Sequence, residues 1–147
     1  MTARVPRPAY RLLDHTADMA FEVEAKDWPS LLGAATAALG DVILAVGARE
    51  AAGEERLVHV RGADREDVLV AWLTEVVILF EEDGFLARGA RLERANDLEA
   101  RGALLGRHVD PAREPADRVV KAVTYHDLRV VEGREGAPWR ATVVLDL

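Results

Sequence analysis

Hydrophobic periodicity along this chain switches repeatedly between steps of two and steps of about four, and that alternation restricts the fold to helices laid on sheet. From Met19 to Lys26 the apolar residues Met19, Phe21, Val23 and Ala25 alternate with Glu22, Glu24 and Lys26, the period of a strand with one face in water. Asp27 and Ser30, around Pro29, supply a helix start, and Leu31, Ala35, Leu39 and Val42 then recur at near four-residue steps until LAVG. A second strand is expected at Arg56–Arg61, after the turn-rich REAAGEE. Asp64, with Glu66 and Asp67 in the first turn, opens a longer helix with the stripe Val68, Trp72, Val76 and Leu79, and Gly84 stops it. Its second half, VVILF, is apolar on all sides, which predicts that this is the central buried helix.

The remainder alternates in twos. Strands are expected at Ala90–Ala95 and Leu98–Leu104 around the turn ANDL, then, after the proline-rich and charged loop GRHVDPAREPADR, in VVKAVTYHDLRVVEG and WRATVVLDL. The order of strands, helix, strand, helix and a run of strands reads as α+β, with two helices packed on one face of a mixed or antiparallel β-sheet. At 147 residues, half of them hydrophobic, the chain is expected to be a single domain over 1–147, with residues 1–9 a flexible lead-in.

Composition removes several classes of function. There is no cysteine, which excludes disulfides, thiolate metal sites and cysteine nucleophiles. The first residues lack the apolar run of a signal peptide, and apolar runs such as Val76–Phe80 fall far short of the roughly 20 residues of a membrane helix, so a cytoplasmic protein is expected. A net charge of −7 argues against binding nucleic acid by wholesale phosphate neutralisation. Only Lys26 and Lys121 are lysines among 19 basic residues, which singles out Lys121, because an ammonium differs from a guanidinium in size, hydration and titratability. On a strand with Val123 and Tyr125 it must either snorkel to water or meet an anion.

Chemistry is concentrated in two places. The joint DHTAD, ahead of the first clear strand, holds His15 and Asp18; Asp and Thr also serve such joints simply by bonding their own backbone. At the other end of the sequence, Trp139, Ala141, Val143 and Leu145 share one parity, Asp146 faces outward, and the last residue is Leu147. A terminal carboxylate held by the strand beside Asp146, joined by Asp18 if the sheet brings the joint to that end, would form an oxygen-only group suited to calcium or magnesium. The same residues equally read as a solvated strand end and a turn former. His15 and His126 have no second histidine at helical spacing, so a zinc motif is absent. Ser30, the lone serine, has an obvious capping role, and no phosphate-cradling glycine loop is present. No catalytic constellation stands out.

Taken together, DHTADMAFEVEA, AATAALGDVIL, LVAWLTEVVILFEEDG, VVKAVTYHDLRV and WRATVVLDL resemble the archease family, in order from about Tyr10 to the last residue. That resemblance implies a small, monomeric, non-enzymatic α+β protein that assists the RtcB-type tRNA-splicing RNA ligase. The ligase joins a 2',3'-cyclic phosphate or 3'-phosphate RNA end to a 5'-hydroxyl with GTP and manganese, through a guanylylated histidine, and archeases promote guanylylation and repeated turnover. Some archeases are described as chaperones of a tRNA methyltransferase. Carried over by motif, a calcium-type site would use Asp18, Asp146 and the main-chain oxygens of Leu147; His15 and His126 are candidate supporting residues behind those ligands. Lys121 matches the residue needed for ligase activation. Where the family often shows a His-Glu pair ahead of VKA, this chain has Arg113-Glu114. A metal-dependent hydrolase using the same carboxylates is the competing reading from another class.

Overall fold

The structure, a computed structural model, describes residues 10–13, 18–45 and 53–147. Its elements run β1 (Tyr10–Leu13), β2 (Met19–Ala25), α1 (Trp28–Ile43), β3 (Glu54–Arg61), α2 (Arg65–Asp83), β4 (Phe85–Ala95), β5 (Glu99–His108), β6 (Ala122–Val131) and β7 (Trp139–Asp146). The fold is α+β, as expected, with a division that periodicity does not reveal: the strands form two antiparallel sheets, β1-β2-β7-β6 and β3-β5-β4. Alternation reports which face of a strand is buried, whereas the partner of each strand is decided by long-range packing.

Local chemistry sets the helix ends. Asp27 caps α1, its carboxylate accepting from the Ser30 N–H at 2.8 Å, with Pro29 in the first turn. Asp64 does the same for α2 through the Asp67 N–H at 2.8 Å. Gly84 ends α2 in the left-handed conformation at φ 66°, where a Cβ would also stand 2.7 Å from the Val109 carbonyl oxygen. α1 packs on β2, β7 and β4, α2 packs on β3, β4, β5 and β6, and the helices touch each other, so both sheets share one core.

The central helix is α1 and not α2. Leu31, Leu32, Ala35, Ala38 and Leu39 are completely buried, whereas Ile78 in VVILF is exposed and Leu79 and Phe80 are only partly covered. An all-apolar helical stretch identifies a helix without a polar face; it does not identify which of two helices is the more deeply buried. α1 comes so close to β4 that a Cβ on Gly40 would lie 1.9 Å from the Ala87 carbonyl oxygen. Between α1 and α2, Trp72 Nε1 donates to Thr36 Oγ1 at 2.9 Å, and Thr36 Oγ1 donates to the Leu32 carbonyl at 2.7 Å, which satisfies both polar groups without water.

β4 begins at Phe85, directly after the α2 cap, and not at Ala90. Its first four residues are all buried, so they carry no alternation to read. β5 likewise runs on to His108, into the segment that proline and charge mark as loop. Irregular register between Ala87 and Gly89 makes Arg88 an extra residue in β4. Such a bulge re-aims a side chain, and Arg88 is 1% exposed with a guanidinium nitrogen 3.7 Å from Asp41 of α1. Asp41 also accepts the Tyr10 hydroxyl of β1, so one buried polar group connects both sheets through α1. Residues 1–9, expected as a flexible lead-in, lie outside the described residues.

Gly40→Ala is expected to lower stability by about 3 kcal/mol or more, since helix and strand must separate to admit the methyl group. Gly33→Ala, whose Cβ would meet its nearest atom at 3.8 Å, is expected to be neutral or to stabilise by up to about 1 kcal/mol. Denaturant unfolding of the two variants checks the contrast; equal midpoints would contradict the close approach.

Candidate functional site at one end of the four-stranded sheet

β7 pairs on both sides, and its two registers gather the expected residues. On the β2 side Met19 faces Leu145, which puts Asp18, one position earlier, level with Asp146. On the β6 side Ala122 faces Asp146, which puts Lys121 level with Leu147. The Lys121 N–H donates to the Asp146 carbonyl at 2.8 Å and fixes this corner. Asp18 is half-buried, while Asp146, Leu147 and Lys121 are exposed. By strand parity the two aspartates belong to the face away from the helices, because Phe21, Val23, Val143 and Leu145 occupy the core. Like charges opposed across neighbouring strands repel, so a cation at this end would relieve a repulsion that the pairing creates.

The donor chemistry fits a hard cation: two carboxylates and main-chain oxygens, with no cysteine in the chain. Among the described residues no three His, Cys, Asp or Glu side chains come together in a metal-binding group. A site here therefore needs main-chain oxygens such as those of Leu147 beside Asp18 and Asp146. His15 lies outside the described residues. His126 is on β6, four positions beyond Ala122, with Nε2 3.2 Å from Asp127 Oδ2.

Lys121 stands just ahead of β6, in solvent, and among the described residues its ammonium meets no carboxylate. It shares a parity with Val123, which is buried, but the pattern breaks before Tyr125. Between the pairs Thr124–Val144 and Arg129–Thr142, β6 holds Tyr125, His126, Asp127 and Leu128 where β7 holds only Val143. Asp127 lies in the left-handed region at φ 52°. The bulge carries the Tyr125 hydroxyl to Asp67 in the first turn of α2, to which it donates. This bond is the main cause of two opposite shifts: the Asp67 carboxyl titrates below its ordinary value, helped by the Ala63 N–H, and the Tyr125 phenol titrates above its own, helped by desolvation and by the Asp67 charge.

Two further residues were not foreseen from the sequence. Arg88 is one; the sole hint of it was Asp41, a charged residue on the apolar stripe of α1 between Leu39 and Val42. Glu114 is the other. It receives a bidentate ion pair from Arg107 at 3.0 and 2.7 Å, which ties the β5–β6 connection to the end of β5. Arg113 faces Asp110 at 4.0 Å. Among the described residues no helix is long and apolar enough to cross a membrane.

Asp67→Asn is expected to bring the Tyr125 phenol down towards 10 in an NMR titration, whereas wild type titrates higher. The depressed Asp67 pKa contributes stability above the unfolded value of 3.8, and that contribution is lost as pH falls through the lower folded value. The raised Tyr125 pKa contributes below the unfolded value of 10.0, and its contribution is lost as pH rises through the higher folded value. An unchanged Tyr125 titration in Asp67→Asn would contradict the pairing.

Comparison with known proteins agrees with this architecture. The model of the Archease protein family (MTH1598/TM1083) matches residues 10–147. A protein archease from Methanopyrus kandleri is 38% identical over 138 residues, covering 92% of this chain and 96% of its own, and one from Methanosarcina barkeri is 31% identical over 143 residues, covering 94% and 95%. The solution structure of Methanobacterium thermoautotrophicum protein 1598 superposes with a TM-score of 0.72 at 26% identity, covering 94% of this chain and 98% of that one. The crystal structure of an archease, called a possible chaperone, from Thermotoga maritima has the same fold, with a TM-score of 0.58 at 22% identity and coverage of 93% and 96%. With a family match over residues 10–147 and relatives covered over nearly their whole length, the chain belongs to the archease family.

Proposed function

We propose that this archease is a non-enzymatic, monomeric partner of an RtcB-type RNA ligase in the cytoplasm, promoting the ligase's guanylylation and repeated turnover in tRNA splicing. The observation that supports it is the meeting, at one end of the β2-β7-β6 ladder, of Asp18, Asp146 and Leu147 with a lysine that has no acidic partner among the described residues. Asp18, Asp146 and the main-chain oxygens of Leu147 hold a calcium-type ion, with His15 and His126 in a supporting role behind the ligands. When bound, the ion supplies positive charge that cancels the aspartate repulsion and fixes the strand ends.

Lys121 then projects a compact ammonium from a rigid corner. In the complex it meets a phosphate of the ligase's GTP or an acidic group at the manganese centre. A partner protein accelerates nucleotidyl transfer in this way without making bonds, because positioning and electrostatics dominate that chemistry. The description of the Thermotoga maritima relative as a possible chaperone favours a second reading, in which archeases keep RNA-modifying enzymes such as a tRNA methyltransferase folded.

A guanylylation time course with limiting cognate ligase, GTP and manganese tests the first reading. Wild-type protein is expected to raise the rate and permit repeated turnover. Lys121→Ala is expected to abolish most of that effect with an unchanged melting temperature, and Lys121→Arg to restore it poorly, since a planar fork does not replace a compact ammonium. Full stimulation by Lys121→Ala would refute the role of the ammonium. Solubility rescue of several enzymes without any effect on guanylylation would establish the chaperone reading, and nucleotide or phosphoester turnover by this protein alone would establish the hydrolase.

Asp18→Ala and Asp146→Ala are each expected to weaken calcium binding by about tenfold or more, because either leaves too few anionic oxygens to replace the hydration shell. Calorimetry measures this directly. Unchanged affinity in both variants would exclude the carboxylates as ligands.

A further inference from the structure

Beside the Lys121 corner lies a preformed apolar cavity of about 220 Å³. Ile43 of α1, Val77 and Phe80 of α2, and Val109 and Val120 of the β5–β6 connection line it. Its walls are pinned by hydrogen bonds: the Val109 N–H donates to the Gly84 carbonyl at 2.7 Å, the Asp117 N–H to the Ile43 carbonyl at 2.8 Å, and the Ala45 N–H to Asp117 Oδ2 at 2.9 Å. The Arg107–Glu114 pair closes the loop between these ties. The cavity is therefore held open by the backbone, and it accounts for part of the apolar excess in VVILF: Val76 is in the core, Val77 borders both the core and the cavity, and Phe80 lines the cavity.

Charge around the cavity is directional. Glu81 stands on the α2 side and Arg118 on the side of the connection. Three residues after Arg118 comes Lys121, and among the described residues neither cation meets a carboxylate. Between them Val119 is 68% exposed. Val120 lines the cavity and Lys121 bonds the Asp146 carbonyl, so the cavity and the sheet end are consecutive along the chain.

We propose that this cavity is a docking site for an apolar side chain of the partner protein, flanked on the partner by an acidic group that meets Arg118. Given the ligase activator proposed above, the partner is the ligase, and the cavity supplies affinity while Lys121 supplies activation. An apolar anchor in a well-packed, desolvated pocket is the usual composition of an interface hot spot, and a complementary charge at its rim adds steering and specificity. Val119 covers the anchor from outside.

Titration of immobilised cognate ligase with wild type, Ala116→Trp, Val119→Asp and Arg118→Glu, at low and at physiological salt, tests this. Ala116→Trp, which fills the cavity from its lining, and Val119→Asp are each expected to raise Kd by about tenfold or more at either salt. Arg118→Glu is expected to weaken binding most at low salt, with the difference shrinking as salt screens it. Val119 is exposed, so its variant decides the matter even if Ala116→Trp unfolds. Equal ligase binding by all folded variants would overturn the cavity while leaving the activator function intact. Absence of ligase binding by wild type would overturn both, and loss of self-association in these variants with unchanged ligase binding would assign the cavity to a second copy of this chain instead.

Discussion

Strand β7 is the element on which the rest of the arrangement depends, because it is hydrogen-bonded along both edges. Its inner face gives Ala141, Val143 and Leu145 to the core, and that burial fixes register: a slip of one residue on either side would turn three core side chains to water. The two registers bring three segments distant in sequence to one corner. Asp18 arrives through β2, Lys121 through β6, and Asp146 and Leu147 through β7 itself. The corner thus inherits its geometry from hydrophobic burial several residues away and needs no side-chain contact of its own to form.

The second sheet matters to the site through the helices. α1 lies against both sheets and approaches β4 at Gly40, while the buried Arg88–Asp41 pair and the Tyr10 hydroxyl connect β4, α1 and β1 at one point. A buried ion pair of this kind is weak evidence for stability, since desolvation offsets its attraction, and stronger evidence that these three elements have a single relative placement. β1 leads directly into the joint that carries Asp18. On the far side, α2 is held to β6 by Tyr125 and Asp67, so the bulged strand that begins beside Lys121 is also tied down.

Elements dominated by local signals were legible in the sequence. Both helix caps are Asp residues followed by turns that use them, and β2 and β7 alternate cleanly. Where packing overrides local pattern, the sequence was silent or misleading. The first part of β4 is buried on both faces and has no period, Arg88 is drawn inward by a bulge, and VVILF is divided between core and cavity. The site was partly legible: oxygen donors could be counted at each end of the chain, but their meeting depends on β2 and β6 flanking β7, which no spacing encodes. Strict alternation puts Tyr125 on the face of Lys121 and Val123, and the bulge between Thr124 and Arg129 removes that parity.

The proposed hard-cation site lies where β2, β7 and β6 end together. Titrating calcium into isotopically labelled protein while following backbone amide shifts tests it most directly. Calcium is expected to produce saturable shifts concentrated at Asp18, Met19, Lys121, Ala122, Asp146 and Leu147, with the β3-β5-β4 sheet unmoved. No saturable shift, or shifts centred elsewhere in the protein, would contradict it.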